Sequence, residues 1–199
     1  MSKPLINILT RTSGRPRGFK ACHNSIINQT YPNIKHLVVT DDTGSIKYLD
    51  GVTKYKLINK EDIINKDITK HTNPKAGRYS PHNLYSNILN QLVEEGYIMY
   101  LDDDDMLKNN FVIEEIVNNI VNEDTMLFWQ MRYRSGRVLP QGGFIHKKPI
   151  LGDIGSPCVL FHSKWLKYAT WDTWKCADFR VINNLYKNIP NKKWIKKPF

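Results

Sequence analysis

Three short apolar runs in the first half of the chain each end abruptly in polar residues. The runs at 5–9, 34–39 and 97–101 are long enough for buried strands, and apolar residues at helical spacing lie between them. Alternating strands and helices of this length favour an α/β fold with a mostly parallel central sheet flanked by helices. In such sheets the ligand site lies beyond the carboxyl ends of the strands. The polar residues that come after the three apolar runs are therefore expected at that site.

The remaining pattern continues the alternation to about residue 133. It predicts helices over 19–29, 81–95, 111–121 and 177–187, and strands over 55–59 and 126–133. Residues 61–79 are polar and weakly periodic, which predicts a surface excursion. The last third is irregular and punctuated by glycines, so the pattern there indicates little beyond its one helix.

Charge and cysteine content limit which partners and which cellular compartment fit the chain. Lys and Arg number 29 and Asp and Glu 19 among 199 residues, which gives a net charge of +10. This surplus suits a nucleic acid, an anionic membrane surface or a phosphorylated substrate as partner. Three cysteines without a CxxC pair argue against a disulfide framework or a cysteine zinc site, so a reducing, cytoplasmic compartment is expected.

The hydrophobic content describes a folded chain without a membrane span. Hydrophobic residues make up 41%, enough for a sizeable core. No apolar run approaches the roughly 20 residues that a spanning helix needs, and the run at 5–9 is too short for a signal peptide. Abundant Asn, Lys and Ile are typical of an AT-rich bacterial or viral genome.

Four aspartates in a row, at 102–105, directly follow the apolar run that ends at Leu101. At about 5 Å and an effective dielectric constant of about 20, each like-charged pair repels by roughly 3 kcal/mol, and a divalent cation reverses that sign. In an extended stretch Asp102 and Asp104 point the same way. Mg²⁺ and Mn²⁺ accept one or two protein carboxylates and leave other positions for water and phosphate oxygens. We therefore predict a metal site at Asp102 and Asp104.

Four landmarks in sequence order, at 7–10, 25–34, 38–45 and 97–105, resemble those of a family 2 glycosyltransferase with the GT-A (Rossmann-like) fold. The most specific of them contains the segment NQTYPN, and the last contains a DxD motif. The resemblance implies a nucleoside diphosphate sugar donor, most often a UDP-sugar. It also implies Mn²⁺ or Mg²⁺ and inverting transfer to an acceptor hydroxyl.

The resemblance also assigns residues to the nucleotide. It places Thr10 and Thr12 in the loop against the nucleoside, Asp42 at the base and Asp103 near the ribose. Arg78 falls where the family often has a basic residue near the diphosphate. The first loop, TRTSGRP, lacks the family's usual aromatic residue followed by Asn.

For the metal, the resemblance selects Asp102 and Asp104, with Asp104 as the direct ligand. The attacking hydroxyl needs a carboxylate general base on the opposite face of the sugar. Asp178, near the start of the last predicted helix, occupies the family's position for that base. Asp172 and Asp153 are the alternatives.

The resemblance makes residues 1–199 a single catalytic domain. Residues 1–110 form the nucleotide-sugar half, 111–186 an irregular acceptor-side half and 187–199 a basic tail. The acceptor is expected to be a glycan, a lipid or a protein. Tryptophans crowd the acceptor half and fit either acceptor stacking or the core, and His162 fits either the metal and diphosphate or a structural position.

Two other functions fit parts of the sequence. A metal-dependent nucleotidyltransferase would share the sheet and the carboxylates, and residues 14–18 hold glycines and arginines near the first strand. A non-enzymatic protein binding nucleic acid or an anionic surface would use the basic segment 192–197. Because four aspartates repel a phosphate backbone, no nucleic acid is expected, whereas a peripheral membrane contact suits the basic tail.

Overall fold

The computed structural model describes residues 3–67 and 78–199, and within them one mixed sheet runs through the molecule. The strands are β1 (Ile6–Thr12), β2 (Ile34–Thr40), β3 (Lys54–Leu57), β4 (Tyr97–Tyr100), β5 (Thr125–Arg132), β6 (Val138–Leu139), β7 (Val159–His162) and β8 (Asn191–Pro198). The helices are α1 (Pro16–Ile27), α2 (Lys60–Asn65), α3 (Leu84–Asn90), α4 (Val112–Val117), α5 (Gly142–His146) and α6 (Ala177–Asn188). Short 3-10 turns cover Thr43–Tyr48, Pro81–Asn83, Ser156–Cys158 and Ser163–Tyr168.

The sheet order is β3-β2-β1-β4-β7-β5-β6, and β8 pairs with β5 outside that path. The strands β1 to β4 are parallel to one another, while β7 runs antiparallel to both β4 and β5. The carboxyl ends of β1, β2 and β4 therefore meet at one edge. The predicted α/β fold, with a mostly parallel central sheet flanked by helices, is confirmed.

Both faces of the central strands are covered, which explains their unbroken apolar runs. Successive side chains of β4 alternate between two apolar layers: Ile98 and Tyr100 pack on the side of α3 and α6, and Met99 and Leu101 pack on the side of α1 and α4. Every residue of β4 is buried. This packing fixes the register of the strand and the point at which the four aspartates leave the sheet.

Several predicted elements are shorter in the structure. The helix expected over 81–95 is a 3-10 turn followed by the seven residues of α3, and α4 holds six residues of the helix expected over 111–121. The expected surface excursion at 61–79 begins with α2, and its part at 68–77 lies outside the described residues. In the described part of the chain no helix has the length and apolar character needed to cross a membrane.

Most of the segment expected as a basic tail, 187–199, is a strand of the sheet. Residues Asn191–Pro198 form β8, which pairs in parallel with β5. Trp194 of β8 stacks on Phe128 of β5, with ring centroids 4.2 Å apart and an interplanar angle of 11°. It also meets Phe144 edge-on, at a centroid distance of 5.3 Å. An aromatic cluster thus holds the basic segment to the sheet.

We expect Trp194→Ala to lower the free energy of unfolding by about 2–3 kcal/mol, because a stacked and partly buried ring is lost. Lys196→Ala, at an exposed position of the same strand, is the matched control and should change it by no more than about 0.5 kcal/mol. Urea denaturation measures both. Equal, small effects of the two substitutions would show that the segment behaves as a free tail.

Candidate functional site

The four aspartates after β4 form a turn, which we call the acidic turn (residues 102–105). The Asp105 backbone N–H donates to the Asp102 carbonyl at 3.0 Å, so the expectation of an extended stretch is wrong. The turn separates the environments of the carboxylates: the side chain of Asp104 is 63% exposed and that of Asp103 only 5%. Burial raises the pKa of Asp105 to about 7, and the charges of its three neighbours add to the shift.

Two arginines of the first loop neutralise part of the acidic turn. The Arg11 guanidinium donates to Asp102 Oδ1 from Nη2 at 2.7 Å and from Nε at 3.2 Å. It also lies over the Trp171 ring, 5.3 Å from the ring centroid. Arg15 Nη1 lies 3.1 Å from Asp103 Oδ1 and 3.4 Å from Asp104 Oδ2. Three of the four carboxylates therefore have a guanidinium partner.

This role of both arginines was not predicted from the sequence. It follows from the strand order, because β1 pairs directly with β4 and Leu9 is in register with Tyr100. Arg11, near the end of β1, and Arg15, after β1, therefore lie beside the acidic residues that follow β4.

Two cavities meet at the acidic turn, and Asp102 and Asp104 line both. The small cavity, of about 470 Å³, lies between the first loop, the segment 80–85 and the acidic turn. The large cavity, of about 1070 Å³, extends from the acidic turn to the turn between β5 and β6 and to the start of α6. The acidic turn is the partition between them.

At the end of β2, Asp41 is hydrogen-bonded to a residue of the small-cavity lining. The Tyr85 hydroxyl, in the lining of the small cavity, donates to Asp41 Oδ2 at 2.8 Å. Burial opposes ionisation, but hydrogen bonds from Ser13 and Tyr85 outweigh it and lower the pKa of Asp41. Its Oδ1 is buried and has no hydrogen-bond partner among the described residues.

Asp42 instead accepts hydrogen bonds from its own turn. Its oxygens accept from the Gly44 N–H at 3.0 Å and from the Ser45 hydroxyl at 2.8 Å. It therefore caps the 3-10 turn that follows β2 and is not part of either cavity lining as described. Asp41 is likewise absent from both described linings, so the role predicted for Asp42 at the base stays a prediction.

Thr10 does not reach a nucleoside, which corrects the role expected for it. Its side chain is fully buried, and its hydroxyl donates to the Leu101 carbonyl at 2.8 Å. The same oxygen lies 2.9 Å from His36 Nε2, and His36 Nδ1 lies 2.9 Å from His23 Nδ1. Thr10 thus supports the acidic turn from beneath.

Thr12 and Arg78 differ in their relation to the site. Thr12 lines the small cavity, although only 3% of it is exposed, and its hydroxyl lies 3.4 Å from that of Tyr48. Arg78 is exposed, and its carbonyl accepts from the Lys175 N–H at 2.8 Å. In the described cavity linings Arg78 is absent.

Asp178 lies in the large cavity with three carboxylates of the acidic turn. It belongs to the first turn of α6, and its Oδ1 accepts from the Phe179 N–H at 2.8 Å. Burial raises the pKa of Asp178, and the negative charge of Asp102 adds to the shift while Arg11 opposes it. Gly155 lies beside the carboxylate, and a Cβ there would be in ordinary contact with it, 3.8 Å from Asp178 Oδ2.

The alternative bases have other partners. Asp172 forms a two-point ion pair with Arg180 and accepts from the Trp174 N–H at 2.8 Å. Asp153 accepts from the backbone N–H groups of Gln141 and Gly143, at 2.9 and 2.7 Å. Both carboxylates hold local structure, whereas Asp178 faces the large cavity.

A divalent cation fits the acidic turn only with ligands from outside the protein. Within residues 3–67 and 78–199 no group of three or more His, Cys, Asp or Glu side chains is arranged to hold a metal. The exposed carboxylate of Asp104, at the partition between the cavities, and that of Asp102 are the available oxygens. One or two carboxylates, completed by water and phosphate, are what Mg²⁺ and Mn²⁺ accept.

The aromatic candidates and His162 are mainly structural. Trp129 and Trp171 are fully buried, although Trp129 also lines the large cavity. His162 is in register with Tyr97, at the opposite end of β4 from the acidic turn, and its Nε2 lies 3.7 Å from Glu123 Oε1. Of the two alternatives left open for His162, the structure therefore favours the structural position.

No protein-family model and no curated protein matches the chain. Solved structures do match this chain, and what they share with it is the fold. S. aureus TarS 1–349 superposes with a TM-score of 0.69 at 17% identity, over 96% of this chain and 58% of that one. Its complex with UDP-GlcNAc gives a TM-score of 0.66 at 18% identity, over 98% and 59%.

The mannosyltransferase PcManGT from Pyrobaculum calidifontis, in complex with GDP-Man and Mn²⁺, gives a TM-score of 0.65 at 11% identity. The likeness covers all of this chain and 56% of that one. This chain therefore spans less than two thirds of each of these proteins. At such identities the likeness shows a common fold alone. Any statement about chemistry has to be argued from the residues of the site.

We expect Arg11→Ala to lower the free energy of unfolding by about 2 kcal/mol, because it leaves the partly buried Asp102 without its cation. Arg17→Ala, at an exposed position of α1, removes the same charge and is the control. Arg11→Lys should restore only part of the loss, because an ammonium group cannot make the two-point contact. Thermal and urea unfolding measure all three; equal effects of Arg11→Ala and Arg17→Ala would contradict the ion pair's role.

Proposed function

We propose that this chain is a metal-dependent glycosyltransferase of the GT-A type. It transfers a hexose from a nucleoside diphosphate sugar, with UDP as the expected nucleotide, to a hydroxyl of a glycan, lipid or protein acceptor, with inversion at the sugar carbon. The observation that carries the proposal is the partition of two cavities by the acidic turn, with Asp178 in the larger one. The fold shared with a GDP-Man complex and a UDP-GlcNAc complex supports it.

The donor's nucleoside would occupy the small cavity. Its volume, about 470 Å³, is in the range of small-molecule sites. Asp41, whose Oδ2 accepts from Tyr85 of the cavity lining, is the carboxylate we propose for an N–H of the base in place of Asp42, and Thr12 and Asp103 line the same cavity. Arg15, which contacts Asp103 and Asp104, supplies the positive charge near the diphosphate that the sequence analysis sought in Arg78.

Asp104 and Asp102 would hold the cation against the diphosphate at the partition. A bound Mn²⁺ or Mg²⁺ supplies Lewis-acid stabilisation of the negative charge that grows on the leaving diphosphate. Arg11 keeps Asp102 in place through its two-point contact. This division leaves Asp104, the more exposed carboxylate, as the principal ligand.

Asp178 would accept the proton of the attacking acceptor hydroxyl. The raised pKa of its carboxyl, caused mainly by burial, makes it a stronger base than an ordinary aspartate. It lies in the large cavity with Asp102 and Asp104, and we take this cavity as the acceptor side. The resulting arrangement places the nucleotide, the cation and the base in sequence across the carboxyl edge of the sheet.

The nucleotidyltransferase alternative lacks a comparable observation. The arginine of its expected phosphate loop, Arg15, is directed to the acidic turn. The nucleic-acid alternative depended on the basic segment 192–197, which lies in β8.

We expect UDP to raise the melting temperature of the protein only when Mn²⁺ or Mg²⁺ is present. Asp104→Ala should weaken metal-dependent UDP binding by about tenfold or more, because it removes the most accessible carboxylate ligand. Asp62→Ala, an exposed carboxylate of α2, is the charge-matched control. Thermal shift and isothermal titration calorimetry with UDP, GDP and UDP-sugars measure this, and no response of the wild-type protein to any nucleotide would refute the proposal.

We expect Asp178→Asn to retain UDP binding and to abolish sugar transfer, because an amide cannot accept the proton. In the wild-type protein the transfer rate should fall as the pH is lowered through the raised pKa of Asp178, above the ordinary aspartate value of about 3.9. Initial rates of transfer across pH measure this. Asp153→Asn is the control for loss of a nearby carboxylate, and full activity of Asp178→Asn would place the base elsewhere.

A further inference from the structure

The turn between β5 and β6 carries three arginines, at 132, 134 and 137, and we call this segment the arginine hairpin (residues 131–138). All three arginines are exposed. Within the described part of the chain none of them has an ion-pair partner, whereas Arg11, Arg15 and Arg180 each contact an aspartate. The hairpin therefore presents positive charge that the protein itself does not neutralise.

The arginine hairpin has a defined backbone geometry. The Tyr133 N–H donates to the Arg137 carbonyl at 2.8 Å, and the Gly136 N–H donates to the Tyr133 carbonyl at 2.9 Å. Gly136 adopts a φ of +83°, a left-handed conformation that closes the turn at little cost only for glycine. The three guanidinium groups thus extend from an ordered turn.

Two of the three arginines line the large cavity. Arg132 and Arg134 belong to its wall, together with Tyr133, while Arg137 does not. Tyr133 is 42% exposed and lines this wall together with the carboxylates of Asp105 and Asp178 in the same cavity.

The large cavity thus carries charges of both signs. Its wall holds the carboxylates of Asp178 and the acidic turn and the guanidinium groups of Arg132 and Arg134, together with buried apolar residues such as Leu107 and Trp129. The donor diphosphate has other cations, since Arg11 and Arg15 line the small cavity. A ligand that enters the large cavity therefore meets unpaired guanidinium groups, whose planar donors match phosphate and carboxylate oxygens two at a time.

We infer that Arg132 and Arg134 bind a negatively charged group of the acceptor, and that the acceptor is a phosphate-bearing glycan. The inference rests on the proposed function, because it takes the large cavity as the acceptor side. The phosphate binds Arg132 and Arg134 while a hydroxyl of the same molecule reaches Asp178 in the same cavity. This arrangement selects a charged acceptor over a neutral glycan of the same length.

The test uses the 199-residue chain and two probes, phosphorylated dextran and unmodified dextran of equal length. Titration calorimetry should show binding of the phosphorylated probe and none of the neutral one. The double variant Arg132→Gln/Arg134→Gln should bind it about tenfold more weakly, because two charge-assisted contacts are lost. Arg137→Gln, on the same hairpin but outside the cavity wall, should stay within about twofold of the wild-type protein.

Metal-dependent UDP binding, measured on the same proteins, separates this inference from the proposed function. UDP affinity should be unchanged in the double variant; a parallel loss of UDP affinity would assign the arginines to the donor and overturn the inference. Equal losses in the double variant and Arg137→Gln would reduce the effect to diffuse surface charge and overturn it too. If the wild-type protein binds phosphorylated dextran as expected but never binds UDP, the proposed function fails while the anion site stands.

A membrane surface is the remaining competitor for the arginine hairpin. Vesicles of phosphatidylglycerol and of phosphatidylcholine, tested by sedimentation, address it. Binding to the anionic vesicles that depends on Arg132 and Arg134, without binding to phosphorylated dextran, would overturn the inference in favour of a lipid headgroup.

Discussion

The contact between Arg11 and Asp102 is the interaction on which the rest of the site depends. Four adjacent carboxylates would repel one another strongly at the end of a buried strand. Arg11 neutralises the first of them through a two-point contact, and Trp171 covers the guanidinium from behind. Arg15 compensates Asp103 and Asp104 from the same loop. The acidic turn can therefore keep one carboxylate exposed between two cavities without unfolding the edge of the sheet.

Much of the fold and part of the candidate site could be predicted from local pattern. Apolar runs that end in polar residues mark parallel strands buried on both faces, and their order brings the ends of β1, β2 and β4 together. That geometry follows from the sheet alone, so the meeting of the acidic turn with Asp178 was predictable once the last helix was placed. The contacts of Arg11 and Arg15 with the acidic turn could not be predicted from local pattern, because they depend on the path of the chain at the end of β1 and beyond it.

The remaining errors have specific physical causes. Thr10 continues an apolar strand and is buried by His36, a neighbour that only the sheet register supplies. Asp41 and Asp42 leave β2 in a turn, where strand alternation no longer tells which carboxylate faces inward. The lysines of β8 indicated a solvated tail, but long side chains cover apolar surface with their stems and are common on strands at a sheet edge.

The hydrogen bonds beneath the acidic turn have a fixed direction. Thr10 has one hydroxyl proton and donates it to the Leu101 carbonyl, so His36 Nε2 must carry the hydrogen between them. His36 Nδ1 then accepts a hydrogen bond from the N–H at His23 Nδ1. Burial lowers the pKa of His36 to about 3, so the ring stays neutral in a single tautomer. The support of the acidic turn is consequently an uncharged, one-way chain of hydrogen bonds, which adds no formal charge to that of the carboxylates and arginines at the partition.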